Sequence, residues 1–303
     1  MPNYHVRDSM RQIDDNSWLI GDKILISRTS SSECTWGGSD GGYTVSETPY
    51  PLPETQPASA NADIERVEDM GDQIATFRIG DALCKVKDIR VPQATREHVT
   101  LAWLKERTWS FAIPEVLYHA EHDGRYYLIT RRLPGKTLDK VWFGLDEPTK
   151  QYYVERVADI CRELAVPAPT DNNIIAGVDG NFLAHGLLTG ADKDCNPRKL
   201  HKNCLEYGMD CSNLVFFNCE LAPDLIVVDG IDRPVGISGW ETAGFLPKEW
   251  IMTDFRVCSG LDLPKGNRAE WRGRVACRLG QLGFSEVTEA YMDPNAVWRR
   301  RKL

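Results

Sequence analysis

Asp210 and Asn213 stand three residues apart in the stretch Glu206-Tyr207-Gly208-Met209-Asp210-Cys211-Ser212-Asn213. A carboxylate can take a proton from a substrate hydroxyl, and oxygen ligands of this kind can hold a divalent cation. Lys85 and Lys87 lie two apart in Ala82–Asp88, a stretch that alternates like a half-buried strand. Glu97 lies near the start of a helical pattern, and Glu241 follows Trp240. Trp103, Tyr207, Met209, Phe216 and Trp240 offer aromatic and apolar walls for a pocket. Each residue also has a plain structural reading. The lysines suit a solvated strand face, Glu97 suits a helix start through the dipole, Pro134-Gly135 suits a turn and Trp240 suits a core.

Other chemistries find no support. The chain has no H-E-x-x-H and no Walker-type glycine loop. Its nine cysteines are scattered, with no C-x-x-C and no histidine at metal-ligand spacing, so no metal site is expected. Reduced thiols in a cytoplasmic protein fit that odd count. Cys211 falls beside Asp210 but has no histidine near it in sequence, so a buried inert thiol is expected.

Elements that could position these groups follow from periodicity. Residues 16–29 read as a strand region, and the Ser/Gly/Pro-rich stretch from Ser30 to about Ala60 reads as a loop or linker. Its Ser-Asp-Gly-Gly-Tyr sequence also admits a glycine-rich flap. Strands are expected at 73–79, 82–88, 116–119 and 126–130, and helices at 94–107, 150–165, 266–282 and 285–291. Residues 132–142 read as a turn entering a helix, and 166–200 as loop-rich. Short strands at 214–217 and 225–228 lead to Gly239-Trp240-Glu241. The order predicts an α+β fold, with a sheet-rich part over 1–130 and a helical part over 131–303.

The chain has 303 residues and a formal net charge of -8. Its pI is about 5.4, which argues against nucleic acid as the main partner. The Arg299–Lys302 cluster reads as a solvated terminus. No apolar run reaches the roughly 18 residues of a membrane span, and the N-terminus lacks the apolar core of a signal peptide. A cytoplasmic protein is expected.

Four landmarks, in order, resemble the aminoglycoside phosphotransferase and choline kinase-like family. They are the lysine strand Cys84-Lys85-Val86-Lys87, the helix Arg96-Glu97-x-x-x-Leu101-x-x-Leu104, the run Tyr126 to Leu138 ending in Leu-Pro-Gly-x-x-Leu, and the segments around Asn213 and Trp240. The Gly-Phe-x-Pro-x-x-Trp ending resembles fungal members. The resemblance implies a bilobed protein-kinase-like fold. It also implies a lysine on nucleotide phosphates, with Glu97 as that lysine's partner.

The family closes its site with a segment like I-I-D-W-E-x-A-G-F-x-P, whose Asp holds magnesium. Here Trp240, Glu241, Ala243, Gly244, Phe245 and Pro247 match, but the Asp position is Gly239, which cannot bind a metal. The family's H-x-D-x-x-x-x-N, which supplies base and metal ligand, is also broken. With Asn213 as anchor, Gly208 takes the base position; with Asp210 as base, Val215 takes the metal position. Glu241, Asp229, Asp232 and Asp254 remain as substitute ligands.

The resemblance with these losses implies a repurposed enzyme that uses neither metal nor nucleotide. It would cyclise or isomerise an apolar small metabolite, as a Diels-Alderase does, in fungal specialised metabolism. Asp210, Asn213, Lys87 and Glu241 would carry catalysis. Trp103, Tyr207, Met209, Phe216, Trp240, Lys85 and Glu97 would contact substrate. An ATP- and magnesium-dependent phosphotransferase with displaced ligands, and a non-catalytic binding protein, remain open alternatives.

Overall fold

A computed structural model of the chain describes residues 4–30, 33–38, 41–58, 64–169, 174–190, 192–229 and 235–292. Asp232 and the Arg299–Lys302 cluster lie outside the described residues. The chain divides into two compact units, Met1–Pro92 with Pro114–Arg132, and Gln93–Ile113 with Leu133–Leu303.

The first unit is antiparallel sheet. A six-stranded sheet runs in the order Trp36–Gly38, Gly41–Glu47, Ile24–Thr29, Ser17–Ile20, Met10–Asp14, Gln56–Pro57. A five-stranded sheet runs Val116–His122, Arg125–Arg131, Ala82–Asp88, Ile74–Ile79, Ile64–Asp69. The period-2 pattern of Ala82–Asp88 does what alternation requires. Ala82, Cys84 and Val86 enter the core, while Lys85 and Lys87 share the opposite face. Tyr126 to Thr130 are all buried, as the run of apolar residues in that strand demands.

Two expectations change here. The 16–29 region is two strands, split at Gly21, whose φ of 63° suits glycine. The stretch from Ser30 onward is not simply a loop, because Trp36–Gly38 and Gly41–Glu47 pair through Trp36↔Tyr43 and Gly37↔Gly42. The Trp36 ring stacks on Tyr43 at 5.8 Å, and the Trp36 indole donates to the Ile79 carbonyl at 2.8 Å. Two buried aromatics outweigh the glycine content around them.

The second unit is mainly helical. Its helices are Glu97–Lys105, Leu138–Val141, Glu147–Leu164, Pro197–Glu206, Lys248–Val257, Glu270–Gln281 and Thr288–Met292. The longest begins where the sequence says it should. Asp146 accepts the Thr149 N–H at 2.9 Å, and a proline follows in the first turn. Tyr153, Val157, Ile160, Cys161 and Leu164 then fall on its buried face. The Pro197–Glu206 and Lys248–Val257 helices have no counterpart among the helices expected from periodicity.

Two small sheets organise this unit. Leu214–Asn218 pairs with Ala243–Pro247, from Leu214↔Pro247 to Asn218↔Ala243. Ile226–Val228 is central in a second sheet, between Lys136–Thr137 and Gly236–Ile237. The Leu-Pro-Gly turn therefore serves to deliver Lys136 to the Val228 edge. Gly244 explains part of the Ala-Gly-Phe landmark in packing terms. A Cβ there would stand 2.4 Å from the carbonyl oxygen of Ala176, whose backbone pairs with Phe245.

Gly244→Ala should therefore push apart two backbones. We expect a loss of about 1–3 kcal/mol, the usual cost of overpacking a core, read as a lower urea midpoint with an unchanged m-value. Wild-type stability in this variant would contradict the assigned role.

Candidate functional site

The strand pairing decides which loop stands beside Gly239. The Leu214–Asn218 strand spans about 17 Å at ~3.4 Å per residue. Asp210 and Asn213 precede its first residue, which pairs with Pro247. Gly239 is held at the other end, where the Asn218 side-chain amide donates to the Gly239 carbonyl at 2.7 Å. Cys219 N–H donates to the Thr242 carbonyl at 3.2 Å. The segment facing Gly239-Trp240-Glu241 is thus Asn218 to Leu225, and not Glu206 to Asn213.

That segment is tightly tied. Asn218 is fully buried, and its side-chain oxygen accepts the Glu220 N–H at 2.9 Å while its amide holds Gly239. Leu225 N–H donates to the Ala222 carbonyl, and the Leu225 carbonyl accepts from the Ser238 N–H at 2.8 Å and the Ser238 hydroxyl at 3.0 Å. The Leu225 side chain lies against the Gly239 backbone. A Cβ at Gly239 would fall 2.8 Å from Leu225 Cδ1, and Gly239 has a φ of 100°. The space in which a carboxylate at this position would begin is filled by a leucine.

The next residue is fixed from a third direction. Glu97 is buried, and its Oε1 accepts the Trp240 N–H at 3.0 Å. The Trp240 indole donates to the Ile237 carbonyl at 2.9 Å. Glu97 therefore does more than favour a helix start, since it anchors the Gly239–Trp240 backbone.

The predicted aromatic walls form a packed cluster. Trp103 lies 4.4 Å from Phe216 and 5.9 Å from Phe245, and Trp240 stacks on Phe111 at 5.9 Å and on Phe216 at 6.4 Å. Phe216 and Trp240 are fully buried, so they are core rather than the wall of an open pocket. Trp103 is half-buried, with the Arg107 guanidinium 3.8 Å from its ring centre.

Tyr207, Met209, Asp210 and Asn213 belong together, but away from Glu241. Met209 is buried, and the Tyr207 ring meets Tyr291 at 4.9 Å. Asp210 closes a local turn. Its Oδ1 accepts the Ser212 N–H at 2.8 Å and the Ser212 hydroxyl at 2.6 Å, and its Oδ2 accepts the Asn213 amide at 3.1 Å. The hydrogen bonds from Ser212, then from Asn213, hold its carboxyl below the usual range. An exposed carboxylate so stabilised as the anion is a turn former and a weak base. Cys211 is buried, and its contact with the Cys204 thiol holds its own thiol below the ordinary value while raising that of Cys204, so the expected inert thiol is not what the geometry gives. Lys85 and Lys87 stand half-buried on the first unit's sheet.

Reading the sequence missed the Asn218–Leu225 segment. The pattern H-x-D-x-x-x-x-N laid on it places Asn218, Glu220 and Leu225 at the three fixed positions. None is identical to the pattern, so Asp210 and Asn213 drew attention instead. A usable signal was present, because a run of apolar strand residues, Ile226–Val228, follows immediately and leads to the Gly236–Gly239 segment.

One cavity of about 620 Å³ lies in the second unit. Val141, Leu145, Tyr153 and Val228 give it apolar walls, with Lys136 and Asp229 among the polar groups. Asp210, Asn213 and Glu241 do not line it. No described helix is long and apolar enough to cross a membrane.

No protein-family model matches this chain, and no curated protein matches it. Solved structures do. A thermostable mutant of aminoglycoside phosphotransferase APH(4)-Ia, in a ternary complex with AMP-PNP and hygromycin B, is similar with a TM-score of 0.51 and 16% identity, over 78% of this chain and 84% of that one. Aminoglycoside phosphotransferase APH(3'')-Id from Streptomyces rimosus, in complex with ADP and streptomycin, has a TM-score of 0.49 and 15% identity, over 79% of this chain and 94% of that one. The first likeness establishes the fold. It is the mixed α+β fold of aminoglycoside phosphotransferases, with an antiparallel sheet-rich N-terminal region and a helical C-terminal part.

Restoring a carboxylate at the glycine should be costly. Gly239→Asp is expected to lose roughly 1–3 kcal/mol from its backbone angle, with the Leu225 overlap added. Combining it with Leu225→Ala should recover only the overlap. Urea unfolding of both variants reads this, and a Gly239→Asp protein as stable as wild type would contradict the packing described.

Proposed function

From the aminoglycoside phosphotransferase fold, we propose that this protein is a repurposed enzyme that works without nucleotide phosphoryl transfer on an apolar small metabolite. The observation that carries the reading is the Leu225 side chain packed against Gly239. Kinase-type transfer uses metal-held phosphates and a base beside them. Magnesium in such sites is bound through one or two carboxylates plus substrate phosphates. At the two positions where the family's motifs place an amide and a carboxylate on the ion, this chain carries leucine and glycine. Those groups offer no oxygen ligand.

The cavity in the helical unit supports the substrate class. Its volume of about 620 Å³ falls within the range of ~300–1,000 Å³ usual for small-molecule sites. Apolar side chains and a lysine–carboxylate pair of residues suit a hydrocarbon-rich molecule with one or two polar handles. Lys136 lies beside the end of the central strand that Asp229 follows, since Lys136 pairs with Val228. The reaction class that fits is intramolecular: a cyclisation or isomerisation. Such a reaction gains rate from holding a reactive conformer and from a few aimed hydrogen bonds or proton transfers.

A second reading has one observation in its favour. Glu220 keeps a carboxylate at the third position of the Asn218–Leu225 window. Phosphoryl transfer would then use Glu220 as base, with Glu241 or Asp229 as displaced metal ligands.

One experiment separates the two. The full-length protein is incubated with a panel of polyene and terpenoid metabolites, with and without ATP and magnesium, and products are read by mass spectrometry. The proposal expects an isomer of unchanged mass, formed equally well without ATP and magnesium. A product heavier by one phosphoryl group, formed only with ATP and magnesium, would overturn it and establish the second reading.

A further inference from the structure

We propose that His185, Cys219 and Asp254 form a buried site for a zinc-type divalent transition metal that ties three segments of the helical unit together. Their ligand atoms all lie within 4.8 Å of one another, and His185 Nε2 stands 3.9 Å from Asp254 Oδ1. Around a tetrahedral zinc, with bonds near 2.0–2.3 Å, ligand atoms lie roughly 3.3–3.8 Å apart. Side-chain shifts of about 1 Å therefore close the set. Imidazole nitrogen, thiolate sulfur and carboxylate oxygen are the donors that zinc accepts.

The independent sign is Asp254. It lies inside the Lys248–Val257 helix, is 0% exposed, and neither carboxylate oxygen has a hydrogen-bond partner. No lysine or arginine pairs with it among the described residues, and the Cys258 thiol offers the anion only a weak contact. A buried carboxylate without partners is costly enough that it must either take up a proton or meet a cation. Burial pushes the Asp254 carboxyl and the Cys219 thiol well up, and holds the His185 imidazole down to about 4. Without an ion, neither Asp254 oxygen is satisfied. A divalent ion satisfies the carboxylate and the thiolate at once.

His185 is already in the state a metal needs. The Trp250 indole can only donate, and it donates to His185 Nε2 at 3.1 Å, so that nitrogen is bare. On binding, the ion takes the place of the indole hydrogen. The three residues arrive from the segment after Phe182, the end of the Leu214–Asn218 strand and the Lys248–Val257 helix, so no sequence spacing could announce them. All three primary ligands are buried, which fits a closed structural ion rather than an open catalytic one. This inference is independent of the functional reading above.

The test uses the full chain, stripped of metal with a chelator and titrated with cobalt(II) and then zinc(II). The expected result is one equivalent of cobalt with a thiolate charge-transfer band and tetrahedral d–d bands, displaced by zinc. Cys219→Ser should abolish the charge-transfer band and weaken zinc binding about tenfold or more. Cys277→Ser, at an exposed thiol, should change neither. Absence of a stoichiometric cobalt–thiolate species in the wild type, or its persistence in Cys219→Ser, would overturn the proposal. Should Cys219→Ser fail to fold, X-ray absorption at the zinc edge of the wild type decides. A first shell with sulfur and imidazole nitrogen supports the site, and a shell with neither overturns it.

Discussion

The contact between Leu225 and Gly239 is the constraint on which the rest of the site depends. Asn218 reaches across to hold the Gly239 carbonyl, and Ser238 is held by the Leu225 carbonyl on the other side. Glu97 then fixes the Trp240 N–H. Three buried or half-buried polar groups thus lock the backbone of one short segment, and a leucine methyl occupies the space in front of it. The polar groups are all satisfied within the protein, so the segment is held rigidly without an ion at the glycine.

Much of the fold is legible in the sequence, because it rests on local patterns. The alternation in Ala82–Asp88, the 3.6-residue spacing in Glu147–Leu164 and the proline after Asp146 each specify an element on their own. The Gly-rich hairpin at Trp36–Tyr43 was not legible. Its strands are three and seven residues long, and the tryptophan–tyrosine stack that stabilises them is a cross-strand contact. The pairing of Leu214–Asn218 with Ala243–Pro247 is also non-local, and it sets the register of the whole candidate site.

That register explains why the residue list divides. Asp210 and Asn213 have the right types, yet they sit at the wrong end of a five-residue strand, where they build a turn. Asn218, Glu220 and Leu225 have the wrong types and the right place. A motif is a statement about which backbone positions face one another, and side-chain identity alone located the wrong loop. Glu97 and Trp240 were found, but their visible role is to support one another. The His185–Cys219–Asp254 cluster includes Cys219 of the Asn218–Leu225 segment, and an ion there would add a further tie to that turn.

The central claim is that the segment facing Gly239 no longer forms a magnesium–nucleotide site. Calorimetric titration of ATP into the full-length protein with magnesium present, at concentrations able to detect dissociation constants of about a millimolar, tests it most directly. The account predicts no binding heat beyond dilution. Saturable, magnesium-dependent binding would contradict it, since Leu225 and Gly239 would then have to make way for an ion that neither can ligate.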